Sequence, residues 1–102
     1  MPTTAMKLLT IVAEPVLEPR ILAQLKAHGA SGYTVTEARG AGSRGTRMGE
    51  VPGEGRRIET VVTAAAAERI LTYIAEHYFG DFAVIAFVTD VEVLRGEKYG
   101  AP

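Results

Sequence analysis

Residues 37–57 read EARGAGSRGTRMGEVPGEGRR, a segment that concentrates six glycines and five arginines. Glycines allow successive backbone N–H groups to turn inward at positive φ, and such concavities hold phosphate or carboxylate. Arg44 and Arg47 add planar, permanently charged donors whose fork matches a pair of anion oxygens. The chemistry open to this segment is anion binding. Composition alone leaves two alternatives, an anion nest or a solvated hairpin loop, because a long loop in a compact domain is either functional or disordered.

Other chemistries find little support in the sequence. With no cysteine in the chain, a disulfide framework, a thiolate metal site and a cysteine nucleophile are all excluded. No hydroxyl has a neighbouring base in sequence, and no histidine pair stands at metal-ligand spacing, so neither an enzyme nor a metal site is expected. His28 and His77 fall near the C-terminal ends of their helices, where an imidazole complements the dipole. Glu37 and Glu59 read as cross-strand partners of each other, or of Arg39 and Arg57, rather than as an acid–base pair. The formal net charge of -1 excludes a broad cationic footprint for nucleic acid and restricts any anion site to one locality. A nucleic-acid module using the Arg/Gly segment stays open as the alternative function. Against it, the RNA-binding form of this fold stacks bases on sheet aromatics, which strands one and three lack.

The elements that must carry the segment follow from patterning. At 102 residues and 47% apolar content the chain builds one core, so residues 1–102 are read as a single domain. KLLTIVA at residues 7–13 is a strand ended by Glu14-Pro15. Pro19 opens a helix with Ile21, Leu22 and Leu25 on one side, and Gly29 closes it. Residues 32–39 and 57–63 are dense in strand formers and flank the glycine-rich segment as a long hairpin. Residues 64–79 carry Ala67, Ile70, Leu71, Ile74 and Tyr78 at helical spacing. Gly80-Asp81 breaks that helix, residues 83–89 form a nearly continuous apolar strand, and residues 91–94 give a small extra strand before a turn at residues 95–97. The order β-α-β-β-α-β predicts a ferredoxin-like α+β fold with two helices on one face of an antiparallel sheet. Strands one and four are nonetheless apolar at almost every position, the pattern of burial on both faces. Self-association in a closed cyclic oligomer is the expected cover for the second face. No apolar run approaches the roughly 20 residues of a membrane-spanning helix, and the start MPTTAMK lacks a signal-like apolar core, so a soluble, cytoplasmic protein is expected.

Residues 32–42, GYTVTEARGAG, closely resemble the G-x-T-V-x-E-x-x-G-x-G signature with which PII signalling proteins enter their long T-loop, here about residues 40–56. The first strand and helix, the Gly80-Asp81 turn in the place of the B-loop, and Arg95-Gly96-Glu97 follow in the family's order. This resemblance implies a ferredoxin-like homotrimer that binds adenine nucleotides in clefts between subunits, with the T-loop contacting a target. Three departures narrow it. No tyrosine stands between Gly40 and Arg57, so the modification site of the nitrogen-sensing members is missing. Ser43-Arg44 replaces the glutamine that helps to hold magnesium and 2-oxoglutarate. Residues 80–83, GDFA, lack the lysine that would meet a third phosphate. GYTVTEARGAGSRGTR, with EVLRG at residues 92–96, instead resembles the PII-like branch linked to bicarbonate transport and carboxysomes.

Carried over residue by residue, the resemblance places Thr34, Val35, Val62 and Thr63 beside adenine and ribose, although Val62 reads equally well as core. Gly40, Ala41, Gly42 and Ser43 would offer donors to phosphate, and Arg44 and Arg47 would close over the charge. Gly80, Asp81 and Phe82, with Arg95 and Lys98 from a neighbouring subunit, would complete the cleft; Arg95 and Lys98 read equally as solvated cations. Gly42, Ser43, Arg44 and Arg47 are the bicarbonate candidates. The resemblance thus implies ADP or AMP as ligands, coupled to bicarbonate, and a bicarbonate transporter or carboxysome-related protein as the partner. No resident cofactor, metal or nucleic acid is expected.

Overall fold

The computed structural model describes residues 2–41 and 53–102. Its elements run β1 (Thr4–Ala13), a 3-10 turn (Pro15–Leu17), α1 (Glu18–Ala27), β2 (Thr34–Arg39), β3 (Glu54–Val62), α2 (Ala64–His77), β4 (Val84–Val93) and a final 3-10 turn (Gly96–Tyr99). The four strands form one antiparallel sheet in the order β2-β3-β1-β4. This is the expected β-α-β-β-α-β arrangement.

Local chemistry accounts for the helix boundaries. Pro19 stands in the first turn of α1, where its missing N–H is no loss, and Gly29 at φ 94 turns the chain away beyond the C-terminal end. Thr63 caps α2 by accepting a hydrogen bond from the Ala66 amide at 3.2 Å. Both helices lie on one face of the sheet. Leu9, Ile11, Ile58 and Val62 from the strands meet Ile21 and Leu25 of α1 and Ile70 and Ile74 of α2, all essentially inaccessible to water. Each such side chain contributes roughly 1.5–3 kcal/mol by its removal from solvent.

Two details differ from the sequence-based expectation. The small extra strand does not exist as a separate element, since β4 runs unbroken from Val84 to Val93. Asp90 interrupts the apolar run in sequence, but it lies opposite Lys7 of β1 and forms an ion pair with it, so the ladder continues through the charge. The hairpin register also sets Glu37 opposite Arg56 and Arg39 opposite Glu54, while Glu59 faces Thr34. Glu59 accepts instead from the Thr10 hydroxyl at 3.0 Å and from Arg57, two residues along its own strand, at 3.3 Å.

Strand alternation assigns the remaining side chains. Val84 and Ala86 pack on the helix side, which turns Ile85 and Phe87 to the opposite face. There they are 59% and 43% exposed in the single chain, beside half-buried Leu8 and Val12 of β1. That face carries an apolar strip with no helix over it among the described residues.

Candidate functional site

Sheet register brings two of the expected binding segments to one end of the molecule. Ala13, the last residue of β1, lies opposite Arg56 of β3 on one side and Val84 of β4 on the other. The stem of the glycine-rich segment and the turn at residues 80–83 therefore flank the same Ala13-Glu14 step. At the stem, the Gly40 amide donates to the Gly53 carbonyl at 2.9 Å. Gly53 adopts φ 77, and a Cβ there would come within 2.9 Å of the Gly40 carbonyl oxygen, so the position demands glycine. Arg56 ties the stem to the body: its Nε donates to Glu18 at 3.1 Å, and its Nη1 donates to Glu54 at 3.3 Å and to the Gly55 carbonyl at 3.1 Å.

The turn at residues 80–83 is held from two sides. The Asp81 and Phe82 amides both donate to the Tyr78 carbonyl, at 3.2 and 3.0 Å. Glu14 is 7% exposed, and its Oε2 accepts from the Ala83 amide at 2.6 Å. Phe82 meets the Tyr78 ring edge-on with centroids 6.0 Å apart. Burial, reinforced by neighbouring Tyr73, raises the Tyr78 phenol above its ordinary value of 10.0.

The other expected residues lie elsewhere. Thr34 is exposed and Val35 half-buried against the core, both on β2. Val62 lies opposite Lys7 and is 1% exposed, so its side chain belongs to the core in the single chain. The Thr63 hydroxyl is engaged as the α2 cap. Arg95, in the left-handed region at φ 57, and Lys98 are exposed in the C-terminal turn, where Gly96 packs directly on Thr4. Thr4 and Ala13 are the two ends of β1, nine steps apart, or roughly 30 Å at ~3.3 Å per residue. Arg95 and Lys98 are thus remote from Gly40, Ala41, Gly80, Asp81 and Phe82 of their own chain. Gly42, Ser43, Arg44 and Arg47 fall outside the described residues.

Two residues of this region escape sequence reasoning. Glu14 reads there only as a strand terminator before Pro15, and Arg56 as one of five arginines. Their roles depend on which strands become neighbours. Among the described residues no group of three histidine, aspartate or glutamate side chains is placed to hold a metal ion. Nor is any described helix long and apolar enough to cross a membrane.

A four-stranded antiparallel sheet backed by two helices, with a long glycine-rich hairpin connection at one end, defines a PII-like α+β protein. Residues 6–98 match the family model for the nitrogen regulatory protein P-II, and the chain belongs to that family. Among solved structures it resembles a PII-like signalling protein from Thermus thermophilus, with 50% identity over 97% of this chain and 99% of that one, at a TM-score of 0.83. It also shares its fold with CPII from Thiomonas intermedia, at 24% identity over 96% of this chain and 97% of that one, with a TM-score of 0.83.

Proposed function

We propose that this chain acts as a PII-like signal-transduction protein, a homotrimer that binds ADP or AMP together with bicarbonate in clefts between its subunits. The observation that supports this reading is the separation of the residues proposed to bind. The glycines of the hairpin stem and the 80–83 turn stand at one end of the sheet, whereas Arg95 and Lys98 stand at the other. A cleft holding both groups is completed only by a second copy, and the apolar strip of Ile85 and Phe87 gives copies a reason to associate.

The ligands are suggested by the shared fold, since CPII has been solved bound to ADP and bicarbonate, and to ADP, AMP and bicarbonate. In this chain Gly42, Ser43, Arg44 and Arg47 are the groups suited to the smaller anion. Two anions repel by roughly 4 kcal/mol at ~4 Å in a partly screened site, so dense cationic donors are needed to hold both. With both anions bound, the glycine-rich segment would present a surface to a bicarbonate transporter or carboxysome-related protein, which is how a bound ligand becomes a signal. By linkage, each anion then tightens the other's binding by one common factor.

Thermal melts in AMP, ADP and ATP, with and without bicarbonate at fixed pH and ionic strength, test this reading. ADP and AMP should raise Tm, and bicarbonate should raise it further only when nucleotide is present. Melting curves indifferent to all three nucleotides would refute it.

A further inference from the structure

We infer that Arg57 allows the open face of the sheet to be buried against a second copy of this chain, because it neutralises Glu59 on that face; the inference rests on the oligomer proposed above and assigns a residue which that reading leaves out. Residues directly opposite each other in an antiparallel ladder point to one face. Val12 lies between Arg57 and Ile85, and Thr10 lies between Glu59 and Phe87. Arg57 and Glu59 therefore stand beside the apolar strip and not on the helix side. Along the four strands the open face carries just these two charges among the described residues, and Arg57 donates to Glu59 at 3.3 Å. The helix side of the same strands differs, with Lys7 and Asp90 toward one end and Glu37, Arg39 and Arg56 toward the other.

Charge identifies the occupant. A face that packs on its own copy meets its own charges again, so self-association requires a net charge near zero there. One arginine and one glutamate, bonded to each other, meet that requirement. Thr10 completes the group: it points to the face without helices yet is 1% exposed, and its hydroxyl donates to the same Glu59 oxygen at 3.0 Å. In the single chain the Arg57 and Glu59 side chains are 45% and 29% exposed, so water screens the pair and it adds little to the stability of the chain itself. A second copy laid over the strip removes that water. Glu59 without its arginine then becomes an uncompensated buried charge. Arg57 accordingly acts on association more than on folding.

The test is sedimentation equilibrium over a dilution series for the wild type, Arg57→Met, Glu59→Gln and the double variant. Methionine keeps an aliphatic body and drops the charge. Arg57→Met should raise the concentration needed for assembly by about tenfold or more, Glu59→Gln should change it by less than about threefold, and the double variant should return to within about threefold of the wild type. An Arg57→Met chain that assembles as the wild type does would overturn the inference. So would a double variant as weak as Arg57→Met, because the loss would then come from the arginine's own contacts and not from the charge left on Glu59. A wild type that stays monomeric throughout would overturn the oligomer reading itself, and this inference with it. Should Arg57→Met fail to fold, labelling of unmodified Arg57 decides the matter. Phenylglyoxal should react with Arg57 more slowly in the assembled wild type than in a folded, dissociated Phe87→Asp chain, and equal rates would overturn the inference.

Discussion

Arg56 joins three parts of the chain with one side chain, since Glu18 opens α1, Glu54 opens β3 and Gly55 belongs to the hairpin stem. Its guanidinium is planar and donates in two directions at once, a geometry that a lysine ammonium cannot reproduce. Because the side chain is 21% exposed, the pair with Glu18 is partly screened and is worth less than a buried charged hydrogen bond. Arg56→Ala should cost about 1–2 kcal/mol in chemical denaturation, and Arg56→Lys should recover less than half of that. A change below about 0.5 kcal/mol for the alanine variant would show that the bridge is a surface pair without structural weight.

Among the elements, the end of α2 carries a pH dependence. Tyr78 is 4% exposed and its phenol is raised above 10.0, first by burial and then by Tyr73. The raised value means that the native state favours the neutral phenol more than the unfolded chain does. The associated stability is fully present below pH 10 and is lost as pH rises through the folded value. Urea unfolding followed across pH 9–12 should show this alkaline loss, and Tyr78→Phe, which keeps the ring in the core, should flatten it. A wild-type curve no steeper than that of the variant would rule Tyr78 out as the cause.

The elements also show how far the sequence could be read. The helices announce themselves through periodicity, the strands through runs of strand formers, and the stop at Gly29 follows from local chemistry, whereas the Thr63 cap of α2 is not read from the sequence. The false break in β4 arises because Asp90 is judged alone, whereas its acceptability depends on Lys7, which is 83 residues away in the chain. Glu14 and Arg56 are missed for the same reason. A buried carboxylate bonded to a distant amide leaves no mark in local composition. The glycine and arginine candidates could be named from residue type alone, and Gly42, Ser43, Arg44 and Arg47 lie outside the described residues.

For the whole molecule, the decisive feature is that one chain leaves its apolar face uncovered among the described residues and holds the proposed binding groups at opposite ends of the sheet. Ile85 and Phe87 face away from the helices on β4, and placing a charge there would leave an unpaired carboxylate inside any interface. Phe87→Asp should therefore dissociate the oligomer, with light scattering giving a mass near the 10.9 kDa of a single chain. The most direct measurement of a cleft shared between copies is a calorimetric titration of ADP into the wild type and into that dissociated variant. The wild type should bind ADP saturably at one per chain, and the monomeric variant should bind far more weakly. Equal affinity in the two, or no binding by the wild type, would contradict a nucleotide site built between subunits.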